Sequence, residues 1–375
     1  MLTEPLVAFT PDPAPAAVQR LAAEALAQGA RGLIVWAADA NGLAPADVDA
    51  WLAGLPVPVA GGVFPQLIHG GENHERGYVV VGWPSAFEVV HVDGLSGDDT
   101  DAAAALAQAL PAPDGVAAVM VWVDGLAPRI AAALDAVYDQ FGSDVTYFGG
   151  GAGSLSFQPH PCLFSREGLR ADALQLVLLR ERLALGVDHG WQPLAGPFVV
   201  TGGHGPVIES LDHRPAYEVY RAAVRGDAGR DPAPEGFFDV AKGYPFGLDK
   251  PDGRLVVRDP ITIEGGGLRC VGDVPPYSLV HLLRGDPQAL VQAAARGAQA
   301  LAGTRGPVLV ADCISRVLYL EQRFGEELAA IRAVIGARAL AGVLTLGEVA
   351  NGGDTCLEFY NKTIVLAALA ADADA

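Results

Sequence analysis

One pattern of strands, helices and glycines recurs three times along this chain, and that repeat constrains its fold more than any single motif. Each stretch reads as strand, helix, apolar strand ending near Asp, helix or loop, glycine turn, further strands. The first runs LVAFTPDP, AAVQRLAAEALAQGA, GLIVWAAD, PVAGGVF and GYVVVGW. The second runs FEVVHVDGLSGDD, AAAALAQAL, AAVMVWVDG, a helix to Phe141, VTYFGGGAGS and ALQLVLL. The third runs SLVHLLRGD, PQALVQAAARGAQAL, GPVLVADC, a helix to Ile335, ALAGVLTLGE and NKTIVLAAL.

Several anchors align. Val121–Asp124 matches Leu309–Asp312, and Glu88–Gly94 matches Ser278–Gly285, which makes His91 and His281 equivalent. Asp286 followed by Pro287 is an N-cap with proline at the first helical position. Apolar spacing predicts helices over 126–141 and 314–335. Continuous apolar runs such as AAVMVWV predict sheets covered on both faces. The fold class expected is α/β, a two-domain mixed-sheet architecture with internally duplicated β-α-β-α-β units. A different segment, about 186–276, separates the second and third units, and its Gly/Pro-rich stretch 225–236 marks a surface loop or soft boundary. We place the boundary near 205, giving domains 1–205 and 206–375.

Charge excludes one class of partner. With 25 basic against 44 acidic residues, a net charge of −19, and lysine only at 242, 250 and 362, the chain has no basic footprint for nucleic acid. The N-terminus lacks a signal-peptide pattern, and no apolar run reaches about 18 residues. Cys162, Cys270, Cys313 and Cys356 are scattered, as in a cytosolic chain with reduced thiols. No membrane insertion, metal signature or cofactor is expected.

Four places carry chemistry. Gly149, Gly150, Gly151 and Gly153 follow a strand, but no helix opens after them, so a tight turn with close packing, or the wall of a ligand pocket, fits better than a phosphate loop. Cys313 stands where a buried strand meets a helix, three residues before Arg316, and reads as pocket-lining, packing or nucleophile. Gly347 with Glu348, and Asn361, lie on a turn and a returning strand. Glu348 is suited to a ligand ammonium, or to pairing with Arg316; Arg316 or Arg258 is suited to a ligand carboxylate.

These residues carry a resemblance. The chain is similar to FIST-domain proteins, an N-terminal FIST part followed by FIST_C, through Tyr147–Gly153, His189–Tyr220, Val257–Pro260, ADCISR and the segment Leu346–Thr363. The resemblance implies a sensory small-molecule-binding module, with amino acids or related polar metabolites as ligands. It implies ligand positions at Arg258, Cys313, Arg316, Gly347, Glu348 and Asn361. Ser315 and Tyr360 depart from the family pattern, which implies an altered pocket polarity. Without a kinase, cyclase or chemoreceptor segment, signalling through a separate partner is expected. The competing readings are an enzyme acting on an amide or amine through Cys313 or Glu348, and an adaptor with a vestigial pocket.

Overall fold

The three repeats are three copies of one sheet, and each copy is completed by its neighbour. The computed structural model describes residues 2–97, 109, 114–352 and 356–371; the expected helix at 102–110 lies outside the described residues apart from residue 109. Unit I has a central strand Gly32–Ala38 parallel to Val59–Phe64. Unit II pairs Ala118–Asp124 with Thr146–Ala152, and unit III pairs Arg305–Cys313 with Leu340–Thr345, both parallel. On the other side of each central strand runs an antiparallel strand: Tyr78–Trp83, Ala173–Leu179 and Ile364–Leu369. All three central strands are buried through their cores, as their unbroken apolar runs require.

A hairpin follows the third strand of every unit and leaves it. The unit I hairpin, Gln66–His69 with Glu72–His74, extends the unit III sheet. The unit II hairpin, Leu163–Ser165 with Gly168–Arg170, extends unit I. The unit III hairpin, Glu348–Asn351 with Leu357–Tyr360, extends unit II. The exchange closes a ring, so strands from both halves of the chain share sheets. Buried Gln175 adds to the join, accepting from Gly61 N at 2.7 Å and donating to Phe164 O at 2.6 Å.

The segment between the second and third units folds as an eight-stranded sheet, threaded into unit III between its edge strand Leu183–Asp188 and its first helix Pro287–Gln299. This corrects the repeat alignment. The expected first strand of the third repeat, Leu279–Arg284, pairs with Gln192–His204 and Phe246–Asp249 inside the inserted sheet. The edge strand of unit III is Leu183–Asp188, so His91 and His281 are not equivalent. Both segments have the same apolar-His-apolar pattern, and that pattern does not identify the sheet.

Helix boundaries shift for local reasons. The helix expected over 126–141 runs Ile130–Phe141, because Asp124 accepts from Leu126 N and Pro128 disfavours helical backbone before it. The helix expected over 314–335 breaks into Ile314–Leu320 and Phe324–Ile335 at Glu321, whose φ is +51°. Asp286 caps Pro287–Gln299 as its sequence requires, accepting from Ala289 N at 2.8 Å. No helix among the described residues is long and apolar enough to cross a membrane.

The glycines that align the repeats have a shared cause. Val35 faces Gly61, Val121 faces Gly149, and Val310 faces Gly342 across the three parallel pairs. A Cβ on these glycines would stand 2.0, 1.8 and 2.0 Å from the facing valine carbonyl oxygen. Backbone cannot retreat within a sheet, so Gly149→Ala is expected to cost more than about 3 kcal/mol, the upper range for overpacking. Gly325, in an ordinary helical conformation with nothing within 4 Å of its Cβ position, provides the control. Gly325→Ala should stabilise by about 0.5–1 kcal/mol. Urea melts of both variants check the pair.

Candidate functional site

A cleft of about 510 Å³ opens where units II and III meet the inserted sheet. The central strands of both units end beside it, the place where α/β sheets present ligand sites. Unit II contributes Gly125–Ala127 after its central strand, the start of its helix, and Leu155 and Phe157; unit III contributes Cys313–Ser315, Leu318, Leu346 and Gly347. The inserted sheet adds Phe238, Arg258, Asp259, Ile261 and 269–273, and the exchanged hairpin delivers Phe359 and Asn361. Most of this wall is apolar, with a few polar groups, as small-molecule sites tend to be.

Of the residues singled out from sequence, Arg258, Cys313, Gly347 and Asn361 line the cleft. Gly347 has φ +107° and lies against Phe359, whose ring would be 2.2 Å from any Cβ there. Asn361 Oδ1 accepts from Asp259 N at 3.2 Å, and its Nδ2 donates to Tyr360 O. Arg258 is only 6% exposed. Its Nε donates to Asp273 O at 2.8 Å, and Nη1 donates to Val257 O and Phe359 O. Among the described residues Nη2 has no hydrogen bond and no carboxylate pairs with the guanidinium. Burial lowers its pKa, the direction expected of a cation held without a close anion.

Cys313 lies on the wall as a thiol. Burial pushes its pKa well above the usual value, and Glu348 adds to this. Gly149, Gly150, Gly151 and Gly153 do not line the cleft. They belong to, or directly follow, the strand Thr146–Ala152, not a turn, and lie beneath the cleft floor. Gly150 leaves no room for a Cβ against Thr345 and Gly347 O, and Gly151 none against Leu346 O. Their smallness lets Leu346 and Gly347 rest on unit II.

Arg316 and Glu348 lie behind the wall. Arg316 is fully buried and binds Glu327 bidentately at 3.0 and 2.7 Å. Its remaining donors reach His189 O, Lys362 O and Leu290 O. The anticipated Arg316–Glu348 pairing does not form: Arg316 takes Glu327, a partner one helix further on. Glu348 instead accepts from Thr345 Oγ1 at 2.7 Å and Thr363 N at 3.2 Å.

Two buried charged residues at the cleft were not singled out from the sequence. Asp259 and Lys362, both buried, form an ion pair at 3.0 Å through Oδ2, which also accepts from Ser315 Oγ at 3.0 Å. Lys362 Nζ donates in addition to Lys242 O and lies 5.1 Å from the Trp191 ring centroid. Asp259 lines the cleft, and its Oδ1 is buried with no hydrogen-bond partner. Burial raises the Asp259 pKa, while Lys362 and Ser315 pull it down. The available signal was a charged pair, Arg258-Asp259, between two apolar strands, and one of only three lysines standing between LEFY and IVLAAL. Elsewhere in the fold, His69 and His74 pack on Phe9, and His160 meets Asp39.

Buried charge is balanced around the Arg316 network. Arg316 pairs with Glu327 and lies 3.2 Å from Asp312, and Lys362 pairs with Asp259, while burial holds Asp312 well above the usual carboxyl range and pushes Glu348 up to about 8. The sign of the Glu348 contribution follows. Below pH 4.5 folded and unfolded chains both hold the proton; from 4.5 to about 8 the unfolded chain releases it and the folded chain keeps it. Stability from this group therefore falls as pH rises across that window and is level above it. Glu348→Gln should flatten that fall relative to the parent, read from denaturant melts between pH 5 and 8. The thiols give a second check. Iodoacetamide at neutral pH should label exposed Cys356 and leave buried Cys162, Cys270 and Cys313 unmodified until denaturant is added, as read by mass spectrometry.

Residues 33–214 match the FIST N domain and residues 216–351 match the FIST C domain. No curated protein matches the chain. The cleft is built from both matched regions, with Phe359, Asn361 and Lys362 lying just beyond the second. With the two matches in series across most of its length, the chain belongs to the FIST family, whose domains are associated with sensory signal transduction.

Proposed function

We propose that this chain is a sensory protein whose cleft binds an amino acid or a related small polar carboxylate, and that occupancy is passed by contact to a separate protein partner. The observation that supports this most is Arg258, a buried guanidinium on the cleft wall with three donors fixed to backbone carbonyls and Nη2 left over. A buried charge is normally paired, and a carboxylate from outside supplies the pair here, with Arg geometry suited to it. The apolar wall would cover the rest of the ligand.

A sensor fits better than a catalyst. Cys313 is held as a thiol, not a thiolate, and Glu348 is enclosed behind the wall, so neither is presented as nucleophile or base. The scattered free cysteines support a reducing, cytosolic setting.

A thermal-shift panel of amino acids, organic acids and amines tests the reading. A carboxylate at about 100 times its Kd should stabilise the folded protein by about 2.7 kcal/mol, a rise of several degrees. The rise should vanish in Arg258→Met. A carboxylate shift that persists in that variant, or a panel in which only amines act, would refute the role of Arg258.

A further inference from the structure

The charges around the cleft specify more than an anion. Asp259, the residue next to Arg258, lines it, and its Oδ1 is buried with no hydrogen-bond partner. A ligand that satisfies the wall must therefore bring a hydrogen-bond donor as well as a carboxylate. Lys362 already neutralises Asp259 from beneath, through Oδ2 at 3.0 Å. The other charged groups on the wall are accounted for: Arg269 is paired with Glu264, and Asp273 is exposed at the mouth, where water screens it. Glu358, on the hairpin, is paired with Lys250. Among the described residues, Arg258 is left as the buried positive charge on the wall without an ion-pair partner, with Glu358 and Asp273 acting on it only from further off.

We infer that the ligand is a net monoanion: a carboxylate carrying an uncharged donor, a hydroxyl or amide N–H, on an apolar body, as in a 2-hydroxy acid. This rests on the carboxylate-binding reading of the cleft and narrows it. A zwitterionic amino acid would place its ammonium on a carboxylate that already holds the Lys362 ammonium. Two cations would then share one buried anion, and the Arg258–ligand pair would leave an excess positive charge in a medium that penalises it. A hydroxyl donates to Oδ1 without adding charge. Leu126, Ile130, Leu155, Phe238 and Ile261 are the apolar surfaces that cover the ligand body.

Isothermal titration of the full chain with matched ligands tests this. One series shares the leucine side chain: 2-hydroxy-4-methylpentanoate, leucine and 4-methylpentanoate. The alanine- and phenylalanine-sized series repeat it. In the series that fits, the hydroxy acid should bind at least about tenfold tighter than both the amino acid and the acid without a donor, the scale of one hydrogen bond to a charged group. Asp259→Asn should reduce the preference for the hydroxy acid over the amino acid, and Lys362→Met, where it folds, should move preference toward the amino acid. An amino acid that binds as tightly as its hydroxy acid overturns the inference and leaves the carboxylate site standing. A plain acid that binds as tightly as the hydroxy acid overturns the role of Asp259. Failure of all nine compounds overturns both this inference and the carboxylate reading.

Discussion

The Arg316 guanidinium holds together the part of the molecule on which the cleft depends. Its donors reach Glu327 on the last helix, Leu290 O on the first helix of unit III, His189 O where the inserted sheet departs, and Lys362 O in the bend before the returning strand. Four elements distant in sequence are thereby set around one planar group. Lys362 O accepts from Trp191 Nε1 as well, so a residue at φ +52° is held by two donors on its carbonyl. That backbone conformation is costly for a side-chain-bearing residue and persists only where its surroundings over-determine it. Here the effect is to send the Lys362 ammonium beneath Asp259 while Asn361 faces the cleft. A buried ion network is weak evidence of stability, since desolvation offsets most of its attraction. Its consequence here is geometric.

The exchange of hairpins does the same for the opposite wall. Glu348–Asn351 joins the unit II sheet through Thr146–Ala152, and Asn351 fixes it there by accepting from Tyr147 N and donating to Val145 O. Leu346 and Gly347 are therefore mounted on unit II although they belong to unit III. Gly151 and its neighbours permit this by leaving no side chain in the gap: Gly151 N donates to Gly347 O, and Leu346 N to Gly151 O. The two family matches meet at residues 214–216, inside the inserted sheet, while the sheets of the three units cross that line.

Much of this was legible in local sequence. Central strands are unbroken apolar runs because both faces are covered, and the glycine anchors follow from a valine carbonyl lying under each. The Asp286–Pro287 helix start also follows from its residues alone. What was not legible is non-local. Hairpin exchange leaves every strand looking the same whether it pairs with its own unit or the next. The segment around His281 has the pattern of a repeat strand but pairs within the insert. Arg316 reads as a ligand residue because the arginine that would pair with a ligand and the arginine that pairs with Glu327 are the same letters; only the turn at Glu321, which swings the last helix back, separates them. Asp259 belongs to Val257–Pro260, which reads as a strand, and nothing in those letters shows that its carboxylate is buried between two strands against Lys362, far along the chain.

Arg258 is the exception that gives the charge pattern its meaning. Arg316 and Lys362 have acidic partners, Arg316 meeting both Glu327 and Asp312, and burial raises the pKa of Asp312 and Glu348. Arg258 has carbonyl oxygens alone, and a carbonyl dipole compensates a cation less than a carboxylate does. The carbonyls that hold it belong to different elements: Phe359 to the exchanged hairpin, Asp273 to the loop leaving the inserted strands, and Val257 to its own strand. An anion arriving at Nη2 would draw charge away from all three contacts at once. In the proposed reading, an anion filling the cleft would therefore bear on the guanidinium that holds Phe359 O of the hairpin seated on unit II.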